Sequence, residues 1–414
     1  MPIRYDYKFL RKGDKSFFMS GVLTIIDGVK PEEDKTRNLK DEYPVNKEYR
    51  FGYVTFKELE EAERHPPDVQ RAIRFLRDRL GNCPDITPDF PCFFYIMNRE
   101  DQIVCSVKAF PDTLWVGSKK YPWAWMGALF TKEGYRGKGL AAKITEESRR
   151  ILHKQGICRG SVFSTEITLH IHKKFDFSFP GYVNRYLMIK SAKPFMEAHI
   201  KSKWVVHILD VLSRKVIELI YRYYFGKKNR GVLKDRFVNL NYADPSRLSL
   251  PELYYEAKYH FNDRLEKLLW KVKGSNAKPE NDCSLYLLED IENGTPFCYF
   301  VLRLKMQSEP LANKYKDFKL MTLMDFGLYK NDERIQPTLL REVIDLFWKS
   351  DAEVLEVLSN SKTLTGLMKQ KGLIKVGKGM SFTFSVPENL NFDKESNNLR
   401  SWHLTSFCGD AFSF

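Results

Sequence analysis

The sequence predicts an α/β (α+β) fold built as two domains, each a mixed, mostly antiparallel sheet flanked by helices. Short apolar runs between polar turns, which are typical of strands, alternate with stretches whose apolar residues recur at helical spacing. This order of elements occurs twice along the 414 residues, and a chain of this length exceeds the usual size of a single hydrophobic core. We therefore expect a duplicated fold.

The first copy begins with a three-strand antiparallel meander over residues 93–131, formed by the runs FFYIM, IVCSVKAF and WAWMGALFT. A Pro-Asp break at residues 111–112 separates the second strand from the third. After Gly139 the apolar period becomes helical, and Gly156 is a stop signal for this helix. A strand (CRGSVFST), a short helix (ITLHIHKKF) and a last strand (YVNRYLMIK) complete the copy.

The second copy repeats this order with the strand runs SLYLL, PFCYFVLRL and KLMTLMDFGLY, the first two joined by an Asn-Gly turn. A helix from Pro337 to Lys349, the strand EVLEVLS, a helix from Ser361 to Lys369 and the strand SFTFSV follow. The predicted organisation is therefore a first domain (residues 1–193), an amphipathic linker helix (194–230), a second domain (231–386) and a C-terminal tail (387–414).

The linker helix carries a continuous apolar stripe, and its charged residues lie off that stripe. We expect the stripe to pack between the two domains or on a partner. Docking of a basic amphipathic helix on a membrane surface is the alternative, and membrane binding is not predicted. The stripe consists of Val205, Leu209, Leu212, Val216, Leu219 and Tyr223.

The net charge of +14 is spread along the chain, and it favours a general attraction to anions without identifying a partner. No block of lysine and arginine is regularly interleaved with aromatic residues, so nucleic-acid binding is not expected. The cysteines are odd in number and form no C-x-x-C pair, which argues against a disulfide framework and a zinc ribbon. Because the histidines and cysteines also lack the spacing of metal ligands, no metal is expected.

The amino terminus has no apolar core of signal-peptide length, and no stretch of about 20 uncharged apolar residues occurs in the chain. An odd number of cysteines fits a reducing compartment. These observations predict a cytoplasmic protein without a transmembrane segment. They do not indicate its oligomeric state.

The run RGKGLA, residues 136–141, joins the third strand of the meander to the helix that follows. A glycine loop at such a junction can hold a phosphate, because unobstructed backbone N–H groups and the helix N-terminus point at the anion. Gly137 and Gly139 lack Cβ atoms, so a ligand can approach closely, and the small Ala141 leaves space at the helix start. Two glycines that only make a tight turn are the alternative.

In this context RGKGLA resembles the acyl-CoA pyrophosphate motif of the GNAT (Gcn5-related N-acetyltransferase) superfamily, Arg/Gln-x-x-Gly-x-Gly/Ala. The meander before it, the helix after it, and the later strand and short helix ending in KKFDF also occur in the family's order. The resemblance implies that the pyrophosphate binds the backbone of Arg136, Gly137, Lys138, Gly139, Leu140 and Ala141, and that the pantetheine arm pairs with Leu129, Phe130 and Thr131.

Some positions depart from the family pattern. The resemblance implies an Asn at the start of the short helix and a Tyr that protonates the leaving thiolate, but these places hold Thr165 and His172. His172 is a candidate proton donor, because the pKa of histidine lies near neutrality; a surface histidine without a catalytic role is the alternative. Asp176 stands where a glycine is usual. Glu166 is a candidate base for the acceptor amine, and Glu133, beside the loop, is a second one.

The second copy has YKNDERIQPT where the glycine loop would fall, without a glycine in residues 330–338. We expect that this copy does not bind CoA and that it shapes the acceptor site or closes over the first domain. The C-terminal WHLTSFCGD resembles endings of some tandem bacterial GNAT proteins, which implies that Trp402, His403 and Asp410 line the acceptor cleft. Simple packing of the tail is the alternative.

The resemblance implies an acyl-CoA-dependent N-acyltransferase with acetyl-CoA, or another acyl-CoA, as co-substrate. The acyl group would pass by direct attack to an amine of a small molecule, a sugar or an amino acid. A tRNA-dependent aminoacyltransferase of the peptidoglycan-bridge kind and a non-catalytic CoA-binding protein stay open as alternatives. The intact loop at residues 136–141 favours CoA over tRNA, whereas Thr165 and His172 support the binding protein.

Overall fold

The strands of both predicted copies join in one sheet in the computed structural model of the chain. Fourteen strands form this sheet within the described residues, and helices flank it, as the sequence predicts. The structure describes residues 48–61, 65–197, 200–226, 235–239, 253–261, 265–276, 281–307 and 317–408.

The first half follows the predicted order of elements. The meander and the helix after the glycine loop are confirmed, and this helix buries Leu140, Ile144 and Leu152 on one face, as its apolar spacing predicts. The elements are β1 (Arg50–Thr55), α1 (Pro67–Leu80), β2 (Pro91–Met97), β3 (Ile103–Val116), β4 (Lys119–Thr131), α2 (Leu140–Lys154), β5 (Cys158–Val162), α3 (Glu166–Lys174) and β6 (Ser178–Ile189).

The second half repeats the same order after a connecting region, so the predicted repeat of elements is confirmed. The connecting elements are α4 (Lys193–Glu197), α5 (Lys203–Gly226), β7 (Asp235–Asn239), β8 (Tyr259–His260) and α6 (Leu265–Asn276). The repeat consists of β9 (Asn281–Asp290), β10 (Pro296–Gln307), β11 (Phe318–Leu328), α7 (Ile335–Lys349), β12 (Val354–Ser359), α8 (Lys362–Gln370), β13 (Ile374–Lys375) and β14 (Met380–Ser385).

The two halves exchange their last strands. The strand order is β1-β2-β3-β4-β5-β14-β6-β12-β11-β10-β9-β7, with β13 beside β6 and β8 beside β3. Thus β14, from the second half, pairs with β5 of the first half, and β6, from the first half, pairs with β12 of the second. Both exchanged strands also pair with each other. The predicted division into four segments stays a prediction, because both halves contribute strands to one sheet.

The hydrophobic cores follow the exchange rather than the chain order. Phe382 and Phe384 of β14 pack in the cluster that contains Trp123 and Trp125 of β4. Tyr186 and Met188 of β6 pack with the second-half strands and helices instead. Each core therefore contains side chains from both halves of the sequence.

The predicted Pro-Asp break is wrong, because Pro111 and Asp112 lie inside β3 and pair with β4. Asp112 is buried, and its carboxylate accepts a hydrogen bond from the Trp125 indole N–H at 2.8 Å. The same carboxylate forms an ion pair with Lys267. Lys267, on α6, is 2% exposed and also lies 2.9 Å from a carboxylate oxygen of Asp85. A buried carboxylate needs such partners, and the partner comes from a distant part of the chain.

Helix α5 forms as predicted, but its apolar stripe does not pack between the two halves, and packing of the stripe on a partner stays a prediction. Leu212 and Leu219 of the stripe are 56% and 70% exposed. The opposite face is the one that packs, through Val206, Asp210 and Tyr221. None of the helices in the described ranges has the length and apolar character of a membrane span.

The exchange of strands gives a prediction about Gly379, which precedes β14. A Cβ atom at this position would overlap the backbone carbonyl oxygen of Val183 in β6. We expect Gly379→Ala to lower the free energy of unfolding by about 1–3 kcal/mol, since the backbone must move to relieve the overlap. Urea unfolding monitored by tryptophan fluorescence measures the change.

Gly366→Ala is the matched control, because a Cβ atom on Gly366 in α8 meets nothing within 4 Å. It should leave the stability unchanged or raise it by up to ~1 kcal/mol, as alanine favours helix more than glycine does. Equal urea midpoints for both variants would contradict the close fit of β14 against β6.

Candidate active site

The predicted glycine loop adopts a conformation that only glycine adopts easily at two positions. After β4 ends, a 3-10 turn covers Glu133–Tyr135, and Arg136 is extended. Gly137 has φ +77°, and Gly139, the N-cap residue of α2, has φ +74°. These angles lie in the left-handed region that favours glycine. The two glycines thus turn the chain from the strand into the helix.

The loop presents the free end of a helix together with positive charge. The first hydrogen bond of α2 is donated by the Lys143 N–H to the Gly139 carbonyl at 3.0 Å, so the amides of Leu140, Ala141 and Ala142 precede the helical ladder. The helix dipole adds partial positive charge at this end. The side chains of Arg136 and Lys138 are exposed beside it. This geometry suits an anion such as a pyrophosphate.

Two residues next to strands hold the loop in place: Asn98, which follows β2, and Tyr49, which precedes β1. The Tyr135 hydroxyl accepts a hydrogen bond from the Asn98 side chain at 2.9 Å, and the Tyr135 ring meets Tyr49 edge to face at 6.3 Å. Lys138 Nζ lies 3.4 Å from the Tyr49 hydroxyl. The sequence interpretation missed Asn98 and Tyr49, because no local pattern connects them to the loop.

A split between β4 and β5 begins directly before the loop. The two parallel strands pair only through three residue pairs, which end at Trp125 and Gly160. Beyond this point β4 continues to Thr131, with its other edge paired to β3. The backbone of residues 126–131 therefore faces the split rather than β5. This segment includes Leu129, Phe130 and Thr131, which the resemblance assigns to the pantetheine arm.

A bulge changes the direction of β4 inside the split. Ala128 has φ +53°, and the register between β3 and β4 shifts between Ser106 and Lys108. Such a bulge bends a strand and turns side chains to new directions. Phe130, which follows the bulge, is 54% exposed. Leu129 and Thr131 are partly buried beside it.

The candidate base Glu166 is the first residue of α3, and its side chain is 77% exposed. The Tyr182 hydroxyl donates to its carboxylate at 3.3 Å, and Lys378 Nζ lies 3.6 Å from the same oxygen. The Thr165 hydroxyl accepts a hydrogen bond from the Thr168 N–H at 3.2 Å and caps the helix. Glu133, the other candidate, is exposed in the turn before the loop.

The candidate acid His172 has a buried environment. Its ring is 2% exposed and stacks on Phe177 with a centroid distance of 4.5 Å. Nδ1 lies 2.8 Å from the Thr383 hydroxyl on β14. Burial, with a smaller contribution from the charge of Arg159, lowers the pKa of His172 to about 3. The ring is therefore neutral near pH 7, and its surroundings are those of a core side chain, not of the surface histidine that was the alternative.

Asp176 replaces the usual glycine of the family pattern and keeps the conformation of a glycine. Its φ is +56°, a left-handed value that aspartate tolerates better than most residues. The Phe177 N–H then donates to the His172 carbonyl at 3.1 Å and closes the end of α3. Asp176 therefore adopts a left-handed conformation of the kind that glycine favours.

The corresponding junction in the second half has a different shape and charge. The N-cap residue of α7 is Arg334 in a right-handed conformation, and its guanidinium pairs with Asp332 at 2.6 Å. This ion pair lies at the helix start that a phosphate would approach, and it places the acidic Asp332 there. The geometry agrees with the expectation that the second copy does not bind CoA at this position.

A cavity of about 140 Å³ lies in the second half next to the C-terminal tail. The Glu256 carboxylate accepts hydrogen bonds from the Gln336 amide at 2.7 Å and the Ser361 hydroxyl at 3.2 Å. Burial lowers the pKa of His403 to about 4, so its ring is neutral near pH 7. The walls include Glu256, Phe326, Gln336, Ser361, Trp402 and His403.

Two of the three tail residues predicted to line a cleft therefore line this cavity, and Asp410 lies outside the described residues. Trp402 is 1% exposed and also packs against Trp123 of β4, with a centroid distance of 6.0 Å. The tail thus connects the cavity to the core of the first half. Among the described side chains, no group of three or more His, Cys, Asp or Glu residues is arranged to hold a metal ion.

Comparison with known proteins agrees with this architecture. A family model described as "Acetyltransferase (GNAT) domain" matches residues 59–179. No curated protein matches the chain by sequence. The chain also resembles solved structures, but their sequence identity to it is so low that the likeness shows the fold alone.

The similar solved structures include two of Saccharomyces cerevisiae N-myristoyltransferase. One, with bound myristoyl-CoA, is 13% identical, with 88% of this chain and 92% of that chain covered and a TM-score of 0.50. Another, with bound myristoyl-CoA and inhibitors, is 15% identical, with 90% and 94% covered and a TM-score of 0.51. A GCN5-related N-acetyltransferase from Anabaena variabilis is 13% identical, with 82% and 73% covered and a TM-score of 0.47.

The family match contains the meander, the glycine loop, α2, β5 and α3, which are the elements on which the resemblance was based. The structural likeness extends across both halves of the sheet. Residues 59–179 of this chain are therefore similar to an acetyltransferase (GNAT) domain.

Proposed function

We propose that the protein is an acyl-CoA-dependent N-acyltransferase. The observation that carries the proposal is the left-handed Gly139 cap of α2, which adjoins the part of β4, residues 126–131, that continues beyond the residue pairs with β5. The helix start offers amides to the pyrophosphate, and the backbone of Leu129, Phe130 and Thr131 is proposed to pair with the amide groups of the pantetheine arm. Acetyl-CoA is the first donor to test, and longer acyl-CoA donors belong to the same proposal.

The proposed reaction is direct transfer. The amine nitrogen of the acceptor attacks the thioester carbonyl, an N–C bond forms, the C–S bond breaks, and CoA leaves as the thiol after it gains a proton. The amine loses one proton, for which the exposed Glu166 carboxylate is the candidate base. Burial raises the pKa of Cys83, Cys92 and Cys158 to about 12, so these thiols do not supply an acyl-enzyme nucleophile.

The acceptor is proposed to bind in the cavity beside the C-terminal tail. Its volume of about 140 Å³ suits a small molecule or one end of a longer one. Glu256 offers a carboxylate to a positively charged group of the acceptor, and the Phe326 and Trp402 rings offer apolar walls. An amine of a small molecule, a sugar or an amino acid fits this combination.

A non-catalytic CoA-binding protein is the second candidate function. The burial of His172 supports it, because the family position for the proton donor then holds a side chain that does not reach solvent. Turnover separates the two candidates: an enzyme releases free CoA thiol in the presence of an amine, and a binding protein does not.

The loop proposal predicts the effect of Gly139→Glu on CoA binding. A side chain at φ +74° strains the cap, and its negative charge opposes the pyrophosphate. We expect the Kd for CoA to rise at least about tenfold, by calorimetry, corresponding to about 1.4 kcal/mol. Gly366→Glu, which adds the same charge in the open position on α8, should bind like the unaltered protein. Absence of CoA binding by the unaltered protein would overturn the proposal.

The acceptor proposal predicts that Glu256→Gln weakens acceptor binding and leaves CoA binding intact. The substitution removes the charge and keeps an oxygen that can accept from Gln336. In a thiol-release assay with a panel of amines, we expect KM for the preferred cationic acceptor to rise about tenfold. Glu388→Gln, at an exposed site outside the cavity, is the control. An unchanged KM in Glu256→Gln would place the acceptor elsewhere.

The environment of His172 predicts a pH-dependent stability rather than a catalytic role. Its pKa of about 3 lies below the ordinary value near 6.5, so the neutral ring stabilises the fold above pH 6.5, and this contribution falls as the pH decreases towards 3. The double variant His172→Phe/Thr383→Val should lose less stability between pH 6.5 and 4.5 than the unaltered protein, with urea unfolding as the measurement.

Turnover of the double variant at pH 7.5 should stay within about twofold, because the ring is neutral there and lacks the acidic imidazolium proton. His170→Phe, at an exposed position on the same helix, should keep the original pH dependence. A large loss of kcat in a stably folded double variant would restore His172 as the acid.

A further inference from the structure

Helix α5 is held to the protein by a polar and aromatic face. Asp210 is 4% exposed and accepts a hydrogen bond from the Ser191 hydroxyl at 2.7 Å. The Tyr221 ring stacks on Trp348 at 4.1 Å, and Val206 is 2% exposed. These contacts fix the rotation of the helix about its axis, so the side that faces outwards is determined.

The outward side is apolar. At 3.6 residues per turn, its side chains from Ile208 to Leu219 fall within an arc of about 100°, and no charged residue of the helix lies in this arc. Trp204, at the N-terminal end of the helix, is 72% exposed. The other exposed apolar side chains of this face are Ile208, Leu209, Leu212, Val216 and Leu219. We name these six residues the outer stripe.

The surroundings of the outer stripe are strongly basic. Residues 201–230 contain eight lysines and arginines but two acidic residues, Asp210 and Glu218. Lys201 and Lys203, at the N-terminal end of the helix, and Lys215, beside the stripe, are exposed, whereas Asp210 is buried and pairs with Arg214 at 2.8 Å. The charge on the outside of the helix is therefore positive.

We propose that α5 docks on an anionic membrane surface, with the outer stripe in the acyl-chain boundary and its lysines at the headgroups. A helix with an apolar face, a tryptophan at one end and basic flanks binds interfaces in this way, and long lysine side chains can bury their methylenes while the ammonium groups stay at the surface. The helix lies in the plane of the interface and does not cross it, in agreement with its composition.

Charge decides between this occupant and a second copy of the chain. A twofold dimer through the outer stripe would bring the same patch of both copies together, so two surfaces of net positive charge would face each other. An anionic lipid surface instead attracts every lysine, and each one adds a similar amount to the binding free energy. The basic flanks thus favour the membrane.

Co-sedimentation of the full-length protein with vesicles tests the proposal. We expect binding to phosphatidylcholine vesicles that contain phosphatidylglycerol, weaker binding to phosphatidylcholine alone, and a loss of binding as salt is added. The variant Leu212→Glu/Leu219→Glu should bind at least about tenfold more weakly, because both side chains leave an apolar environment and add negative charge. Both positions are exposed, so circular dichroism should show an unchanged fold.

The control His207→Glu/Asn391→Glu makes the same change of net charge at exposed positions outside the outer stripe, and it should retain most of the binding. Equal loss of binding in both variants would mean that net charge alone weakens vesicle binding, and it would overturn docking by the outer stripe. Absence of binding to anionic vesicles would also overturn it. So would a dimer in analytical ultracentrifugation that the stripe variant dissociates, since the occupant would then be a second copy.

Discussion

The reciprocal exchange of β6 and β14 is the constraint on which the rest of the structure depends. Each strand completes the sheet of the half that did not encode it, and each pairs with the other at the centre. The side chains of β14 then fill the core around Trp123, and the Thr383 hydroxyl on the same strand meets His172. The first half obtains its loop and split from its own sequence, but its core requires the second half.

Much of the fold could be predicted from the sequence, because its signals are local. Strand runs, helical periods and the glycine loop at residues 136–141 each depend on residues close together in the chain. The exchange of strands could not be predicted, since β5 and β14 pair across more than half of the described sequence. Asp112 was misinterpreted for the same reason: its partner, Lys267, lies on a distant helix. The burial of His172 likewise depends on β14.

The two halves share one order of elements but differ at the junction between the third strand and the helix that follows. The junction before α2 has a left-handed glycine cap and exposed cations, whereas the junction before α7 has an arginine paired with Asp332. The difference occupies a few residues, and the surrounding strands and helices keep their order. The second half contributes a cavity closed by the C-terminal tail instead. The different junction and the cavity occur in a sheet whose framework both halves share.

The place of Trp402 has a consequence for the order of events during synthesis. The indole ring packs against Trp123, Phe382 and Phe384, so one wall of the first core is made of residues that leave the ribosome long after β4. Contacts of such sequence separation are slow to form, and the apolar strands β4 and β5 stay uncovered while the rest of the chain is made. Until then, the uncovered apolar surface makes the nascent first half prone to aggregation.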